Sequence, residues 1–347
     1  SNNTAIGNLA LTSNTTGADN VAVGAFALDA NTTGGDNTAT GKSALGANTT
    51  ASNNTAFGRE ALLKNTTASN NTSVGYQSLK ENTTGTQNVA VGANALDASS
   101  TASFCTAVGY DSLGSNTTGT ENTAIGRNAL VANTTGGFNN ALGSSALAAN
   151  TTGSQNIGIG YHALDTNTTG NNNVAVGHNA LDANTTGGSN DALGVSAGGS
   201  VTTASNTLCL GNLAGTSSSP ITLTTQSNTI VVGNNSHSGA YIKIDWTVGS
   251  DQRDKTDIQD ITTGLDFVNQ LKPKSFWFTK NRDSDVKHGN KKYGFLAQDI
   301  LALEGSDPVI INNQNEDSLG YQGAHLIPIL VNAIKELSAK VTALEAG

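Results

Sequence analysis

Ser250 and Lys255 are the two residues whose types and spacing most directly suggest covalent chemistry. They are the first and last residues of the hexapeptide S-D-Q-R-D-K. A serine hydroxyl becomes a strong nucleophile only when a base removes its proton, and a lysine amine can be that base when burial or nearby charge lowers its pKa. A tight loop can bring two such side chains together. The sequence therefore predicts Ser250 as a nucleophile and Lys255 as its base, although in a polar loop both could also be solvated surface groups.

Further motifs follow the hexapeptide in a fixed order. They are G-L-D-F-V-N-Q-L-K-P at residues 264–273, Y-G-F-L-A-Q-D at 293–299 and L-I-P-I-L at 326–330. Together with S-D-Q-R-D-K they resemble the endosialidase-type intramolecular chaperone, a self-cleaving C-terminal domain of phage fibres and tailspikes. The resemblance implies that residues 250–347 trimerise the chains, guide folding of the preceding β-structure and are released by cleavage between Ser250 and Asp251. Asp254 provides a carboxylate that could instead hold Lys255 as an idle ammonium.

The C-terminal tail has the apolar spacing of a coiled-coil seam. Apolar residues recur three and four positions apart, with charged residues outside the seam. We predict that the seam residues contribute to a homotrimer; they are Ile327, Leu330, Ile334, Leu337, Val341 and Leu344. The alternative is an amphipathic helix that packs on its own subunit.

A change in composition marks the C-terminal block as a separate domain. Residues 250–347 hold most of the basic residues and three of the four prolines. We predict three domains: a repeat shaft at 1–215, capping turns and a junction at 216–249, and the chaperone and autoprotease domain at 250–347. Within the last two we expect a helix at 265–271, ended before Pro273, and strands at 241–248, 275–279, 293–297 and 309–312.

The first two thirds of the chain is a repeat with a period of 17 residues. Glycine recurs at this spacing without interruption at Gly7, Gly24, Gly41, Gly58, Gly75, Gly92, Gly109, Gly126, Gly143, Gly160, Gly177, Gly194 and Gly211. Such strict self-similarity is typical of a solenoid in which each repeat forms one turn. We therefore predict a mainly β fold, a parallel β-roll or β-helix, followed by a small α+β domain that ends in the coiled-coil helix.

Each position of the repeat suggests a place in the turn. The residue before the glycine, such as Val23, is large and apolar, and we expect it to face the core. The alanine before it, such as Ala22, then lies on the opposite face, close to another backbone. Four residues after the glycine, Leu28 and its equivalents form a second core column. The N-T-T-G segments favour turns, because asparagine and glycine tolerate left-handed backbone.

The signatures N-T-A-I-G and N-V-A-V-G resemble the parallel β-roll heads of trimeric autotransporter adhesins and similar repeats of phage tail fibres. The resemblance covers residues 1–215 and implies a trimer, which a solenoid with so thin a core would also need. A right-handed β-helix, or a turn made of a strand and a short helix, is the alternative.

Composition excludes several classes of function. The net charge of -9 disfavours nucleic acid as a partner, and no apolar stretch is long enough to insert into a membrane. No cofactor or metal is predicted, because His162 and His178 have no evident further ligand in the sequence and Cys105 and Cys209 occupy packing positions.

These observations favour a structural protein over a metabolic enzyme. The expected molecule is the distal part of a trimeric phage tail fibre, assembled in the host cytoplasm and extracellular in the mature virion. Its expected partners are a host-surface glycan or protein receptor and an upstream tail or baseplate component. Any enzyme activity would be a single Ser-Lys autoproteolysis. The alternatives are an adhesin or injection-system fibre with an uncleaved chaperone, and a polysaccharide-degrading tailspike, for which paired carboxylates are not evident.

Overall fold

The computed structural model describes residues 2–237, 250–279, 285–313 and 319–347. The chain divides into two compact units, residues 1–234 and 235–347, and each is described by itself. The predicted strand at residues 241–248 lies outside the described residues.

The first unit is a β-solenoid with one three-residue strand in each turn. Every strand pairs in parallel with the strand of the next turn, and equivalent repeat positions lie side by side, as in Ala5 beside Ala22. The prediction of a mainly β solenoid with 17-residue turns is confirmed. The strands are β1 Thr4–Ile6, β2 Val21–Val23, β3 Thr38–Thr40, β4 Thr55–Phe57, β5 Thr72–Val74, β6 Val89–Val91, β7 Thr106–Val108, β8 Thr123–Ile125, β9 Asn140–Leu142, β10 Ile157–Ile159, β11 Val174–Val176, β12 Asp191–Leu193, β13 Leu208–Leu210 and β14 Ile230–Val232.

The repeat glycines stack where successive backbones approach too closely for a side chain. Gly24 has a φ of +140°, and a Cβ atom placed on it would lie 2.5 Å from the carbonyl oxygen of Gly41. Both the backbone conformation and this distance exclude other residues, which explains why glycine recurs in each of these turns.

The prediction of which strand face is buried was wrong. Ala22 is fully buried, whereas the bulky residues before the glycines point outward, with Ile6 60% and Phe57 57% exposed. The leucine column was correctly placed inside, and Leu28 is fully buried. Because leucine side chains fill the narrow interior, the buried strand position holds a small side chain in the turns that keep the leucine, and Cys209 occupies it where Gly215 replaces the leucine.

The segment between the glycine and the leucine forms a turn, and within residues 2–237 it contains no short helix. Phe26 and Leu28 both adopt left-handed backbone, with φ of 60° and 50°. This conformation is unusual for bulky side chains, and it recurs at the same two positions of successive turns.

Two columns of buried asparagine lie inside the solenoid. In the first, the Asn31 amide nitrogen donates to the Asn14 side-chain oxygen at 2.9 Å and to the Gly34 carbonyl at 2.9 Å. In the second, the Asn20 oxygen accepts from the backbone N–H of Asn37 at 3.0 Å. Each amide therefore satisfies buried backbone groups and also connects one turn to the next.

The second unit contains a small α+β domain. Its helices are α1 Leu265–Val268, α2 Ala297–Glu304 and α3 Leu326–Glu345, and its strands are β15 Lys274–Thr279, β16 Lys287–Gly294, β17 Ile311–Asn312 and β18 Gly320–Tyr321. The strands pair in two antiparallel ribbons, β15 with β16 and β17 with β18. The buried core consists of Ile300, Ile310, Ile311 and Leu326.

The predicted elements of this unit were placed with mixed accuracy. The strand expected at 275–279 is β15, and the one expected at 309–312 is the shorter β17. The helix expected at 265–271 is present as α1 but ends at Val268. The strand expected at 293–297 was largely wrong, because β16 ends at Gly294 and Ala297 begins α2. Phe295, between them, packs against the core.

Candidate functional site

The side chains of Ser250 and Lys255 are in contact. The Lys255 Nζ atom lies 2.7 Å from Ser250 Oγ and 3.1 Å from the Ser250 carbonyl oxygen. One amine therefore reaches both the hydroxyl that the sequence suggests as nucleophile and the carbonyl of the Ser250–Asp251 peptide bond. Both residues are exposed in the single chain.

A short turn that Asp251 caps brings the two residues together. Residues Gln252–Asp254 form a single turn of 3-10 helix, and Asp251 Oδ1 accepts the backbone N–H of Arg253 at 2.9 Å. The Arg253 guanidinium also pairs with the Asp251 carboxylate at 2.6 Å. These two contacts, the side-chain pairing above all, hold the pKa of the Asp251 carboxyl below its ordinary value. The backbone directly after the Ser250 carbonyl is thus fixed in a bent conformation.

Asp254 does not pair with Lys255. Within residues 250–279, the contacts of the Lys255 amine are those with Ser250, and Asp254 takes part in the turn through its backbone N–H, which donates to the Asp251 carbonyl at 3.2 Å. The ion pair considered from the sequence is therefore absent from this part of the chain.

The six predicted seam residues of α3 are all solvent-exposed in the single chain. Their exposed fractions range from 38% at Leu330 to 82% at Leu344. The residues of α3 that are buried within the unit are Leu326 and Ala333, which lie outside the seam. The helix therefore uses one face to pack on its own unit and leaves the apolar seam face uncovered.

Two carboxylates that the sequence analysis did not single out hold this unit together. Glu304 accepts backbone N–H groups of Val309, Ile310 and Ile311 at 2.6 to 3.0 Å. Glu336 of α3 accepts the N–H of Leu265, the first residue of α1, at 2.9 Å. The sequence signal for the second contact is G-L-D at the start of α1. Gly264 has no side chain that could cap the helix, so the first N–H groups of α1 need an acceptor from elsewhere in the unit.

The other candidate groups of the sequence analysis do not form a reactive centre. Among the described residues, no cluster of three or more histidine, cysteine or acidic side chains could hold a metal ion. His162 contacts Asp165, and Cys105 and Cys209 are buried free thiols. None of the described helices is both long and apolar enough to cross a bilayer.

The class that the geometry defines is a β-solenoid followed by a small α+β unit with a Ser–Lys contact at residues 250–255. Comparison with known families agrees with the second part. A family model described as the chaperone of endosialidase matches residues 250–305, so the match begins at Ser250 and runs through α2. No curated protein and no solved structure matches the chain.

Proposed function

We propose that this chain is a trimeric fibre-type protein of a phage virion, in which the solenoid forms the shaft and residues 250–347 act as its assembly chaperone. The family match at residues 250–305, downstream of a β-solenoid, supports this proposal most directly. The shaft attaches to an upstream tail or baseplate component and contacts a receptor on the host surface. It assembles in the host cytoplasm and becomes extracellular with the virion.

The exposed seam of α3 supports three-chain association through the C-terminal unit. An apolar stripe with three- and four-residue spacing is the pattern that coiled coils bury between helices. Fewer than three heptads make a weak coiled coil, so the remainder of the unit contributes to the trimer. A test is to replace Ile334 and Leu337 by serine and to measure the molar mass by light scattering. The expected result is loss of the trimer, whereas the control Ala339→Ser, on the opposite face of α3, leaves the mass unchanged.

We further propose that the C-terminal unit separates from the shaft by one hydrolysis at Ser250–Asp251. As a neutral amine, Lys255 accepts the Ser250 hydroxyl proton. The resulting ammonium is placed to hydrogen-bond the Ser250 carbonyl oxygen, where negative charge develops during attack on that carbonyl. Attack by Ser250 Oγ on the carbonyl carbon of the same residue closes a four-membered lactone and breaks the Ser250–Asp251 C–N bond, while the Lys255 ammonium returns the proton to the leaving Asp251 nitrogen. One water then opens the lactone, which leaves a carboxylate on Ser250 and an amino terminus on Asp251.

Cleavage in this proposal depends on assembly. A lysine acts as a general base where burial disfavours its charged form, and Lys255 is exposed in the single chain. Packing of three chains at residues 250–255 would supply that burial. The seam variant should therefore lose cleavage together with the trimer, although it retains both Ser250 and Lys255.

The test is mass spectrometry and N-terminal sequencing of the freshly purified full chain. Wild type should release a fragment that begins with D-Q-R-D-K, and Ser250→Ala and Lys255→Ala should remain intact while still forming trimers. Lys272→Ala, an exposed lysine nearby in the sequence, is the matched control and should cleave normally. An intact wild-type trimer that persists for days would refute the cleavage step and leave the chaperone role standing.

A further inference from the structure

The surface position directly after each repeat glycine has an unusual composition, and we call it the post-glycine column. Residues 1–237 contain three tyrosines, and all three occupy this one position of the 17-residue repeat: Tyr76, Tyr110 and Tyr161. The column also holds Lys42, Arg59, Arg127 and His178. The strict stacking of the turns places these side chains above one another at one corner of the solenoid.

The three rings are about half exposed in the single chain, although neighbouring side chains cover part of the Tyr76 and Tyr161 rings. Tyr76, Tyr110 and Tyr161 are 45%, 55% and 49% exposed. Each has a cationic or imidazole neighbour in an adjacent turn of the column. Arg59 lies 5.8 Å from the centre of the Tyr76 ring, and His178 stacks on Tyr161 with ring centres 5.3 Å apart.

The three rings lie along the solenoid axis at short intervals. Tyr110 lies two turns after Tyr76, and Tyr161 lies three turns after Tyr110. With strands spaced by about 4.8 Å, these intervals are about 10 Å and about 14 Å. The column is thus an axial line of three aromatic sites.

The neighbouring column, one residue further along each turn, supplies planar polar groups beside the rings. Glu60 and Gln77 belong to it, and the Gln77 amide donates to the Glu60 carboxylate at 2.7 Å. Asp111 and His162 occupy the same position beside Tyr110 and Tyr161. Aromatic faces accept the C–H faces of sugar rings, and adjacent amides and carboxylates bind hydroxyl groups, so the two columns together have the chemistry of a carbohydrate site.

We propose that the post-glycine column binds an extended, uncharged polysaccharide that lies along the solenoid axis, with its sugar rings stacked on Tyr76, Tyr110 and Tyr161. An uncharged chain is favoured because the protein carries a net charge of -9 and Arg59 is already paired with Glu60 at 2.9 Å. The arrangement of the three rings in one line along the axis favours a linear polymer over a compact ligand. This inference rests on the proposed receptor-binding function and assigns it to the flank of the shaft.

The experiment measures binding of the full-length protein to immobilised bacterial polysaccharides that lack acidic sugars, with acidic capsular polysaccharides for comparison. The combined variant Tyr76→Ser, Tyr110→Ser, Tyr161→Ser tests the column. Serine already occupies this position at Ser144, so the solenoid should tolerate it. The control is Phe104→Asn with Phe138→Asn, which removes two exposed rings from a different column that already accepts asparagine at Asn53.

Wild type and control should bind an uncharged polysaccharide, and the triple variant should lose affinity by a factor on the order of 100, because three linked sites act together. Single tyrosine variants should lose less, and fragments of the polysaccharide too short to reach two tyrosines should bind weakly. Absence of binding to every uncharged polysaccharide, preference for acidic ones, or unchanged binding by the triple variant would overturn the proposal.

Light scattering on each variant separates this proposal from the function it rests on. If the triple variant loses its trimer while the control retains it, the column is an interface between copies of the chain and the glycan proposal fails. A monomeric wild type that nevertheless binds through the tyrosines would refute the trimeric fibre and leave the glycan site intact.

Discussion

Replacing Ser99 by asparagine is expected to stabilise the solenoid, because this residue interrupts the first buried asparagine column. In neighbouring turns each amide donates to the side-chain oxygen of the preceding turn, as Asn82 does to Asn65 at 3.0 Å. Ser99 is too short to continue the series. As a result Asn82 Oδ1 and Ser99 Oγ are both buried without a hydrogen-bond partner, and Asn116 donates to Gly119 but not to the turn that precedes it.

The size of the effect follows from these two unpaired atoms. A buried polar group without a partner costs about 1–3 kcal/mol. Asparagine at position 99 would donate to Asn82 Oδ1 and accept from the Asn116 amide, while ordering the longer side chain costs on the order of 1 kcal/mol. Two such atoms cost about 2–6 kcal/mol, so the net stabilisation is at least about 1 kcal/mol. The turn has room for an asparagine at position 99. Asn48 and Asn65 occupy the same repeat position, three residues before an alanine, just as residue 99 lies three residues before Ala102.

Native-state hydrogen exchange measures this effect where it arises. The Thr83 amide donates to the Ser100 carbonyl at 2.9 Å and the Ser100 amide to Thr117 at 3.1 Å, so both report opening between these turns. Their exchange should slow by a factor of at least about 5, which corresponds to about 1 kcal/mol. The control Ser69→Asn adds an amide to a half-buried column that already contains Asn171 and should leave the exchange of both amides unchanged. Equal or faster exchange in the Ser99→Asn protein would refute the claim that the interrupted column is a weak point.

Three other measurements test the buried groups of the solenoid. Burial raises the pKa of the Asp182 carboxyl above its ordinary 3.8. The protonated form of Asp182 is therefore favoured in the fold, and the free energy of unfolding falls as the pH rises above 3.8. Melting curves from pH 3.5 to 7 should show this decline, and Asp182→Asn should reduce it. Burial also raises the pKa of the Cys105 and Cys209 thiols to about 11. Both thiols should therefore react slowly with a thiol reagent at pH 8 and rapidly after unfolding. Fast labelling of the native protein would contradict their burial. Gly126→Ala should lower the urea midpoint of unfolding by the equivalent of at least about 2 kcal/mol, because the new Cβ would lie 2.4 Å from the carbonyl oxygen of the next repeat glycine. The control is Gly137→Ala, at a position that takes serine in other turns. Equal midpoints for the two variants would contradict the explanation.

The period, the glycine column and the leucine column could be predicted from the sequence, but the inner face of the strand could not. Alternation places Ala22 and Val23 on opposite faces and does not say which face is inside. The usual preference for bulky apolar residues in cores favoured Val23. The structure buries Ala22 because Leu28 already fills the narrow interior, and this is a property of the whole turn that a strand of three residues does not reveal.

The asparagines of the first column were predicted as turn residues without recognition of their interior position, and those of the second column appeared only as part of the repeat signature. Asn31 begins an N-T-T-G segment and Asn37 precedes a strand, and in both places an exposed asparagine would be equally compatible with a turn. Constancy gave no signal either: these two positions keep asparagine in most turns, but the exposed second threonine of the same turn, as in Thr33 and Thr50, is also constant. At the candidate site, the spacing of Ser250 and Lys255 permitted their contact without requiring it, while the Asp251–Arg253 pairing that shapes the turn was not foreseen.

Near-identical turns create a problem of register that the asparagine columns cannot solve. Each amide contacts only the turns directly above and below it, as Asn31 does with Asn14 and Asn48, so the interactions repeat with the same geometry in successive turns. These contacts lie within one chain, so they would be unchanged if the chains of the proposed trimer were displaced along one another by one turn. The irregularities, such as Ser73 and Ser78, which bond to each other inside a single turn, are satisfied within that turn and give no register between chains. A fixed starting point at one end removes the ambiguity, and a C-terminal unit that associates before the shaft folds would provide it.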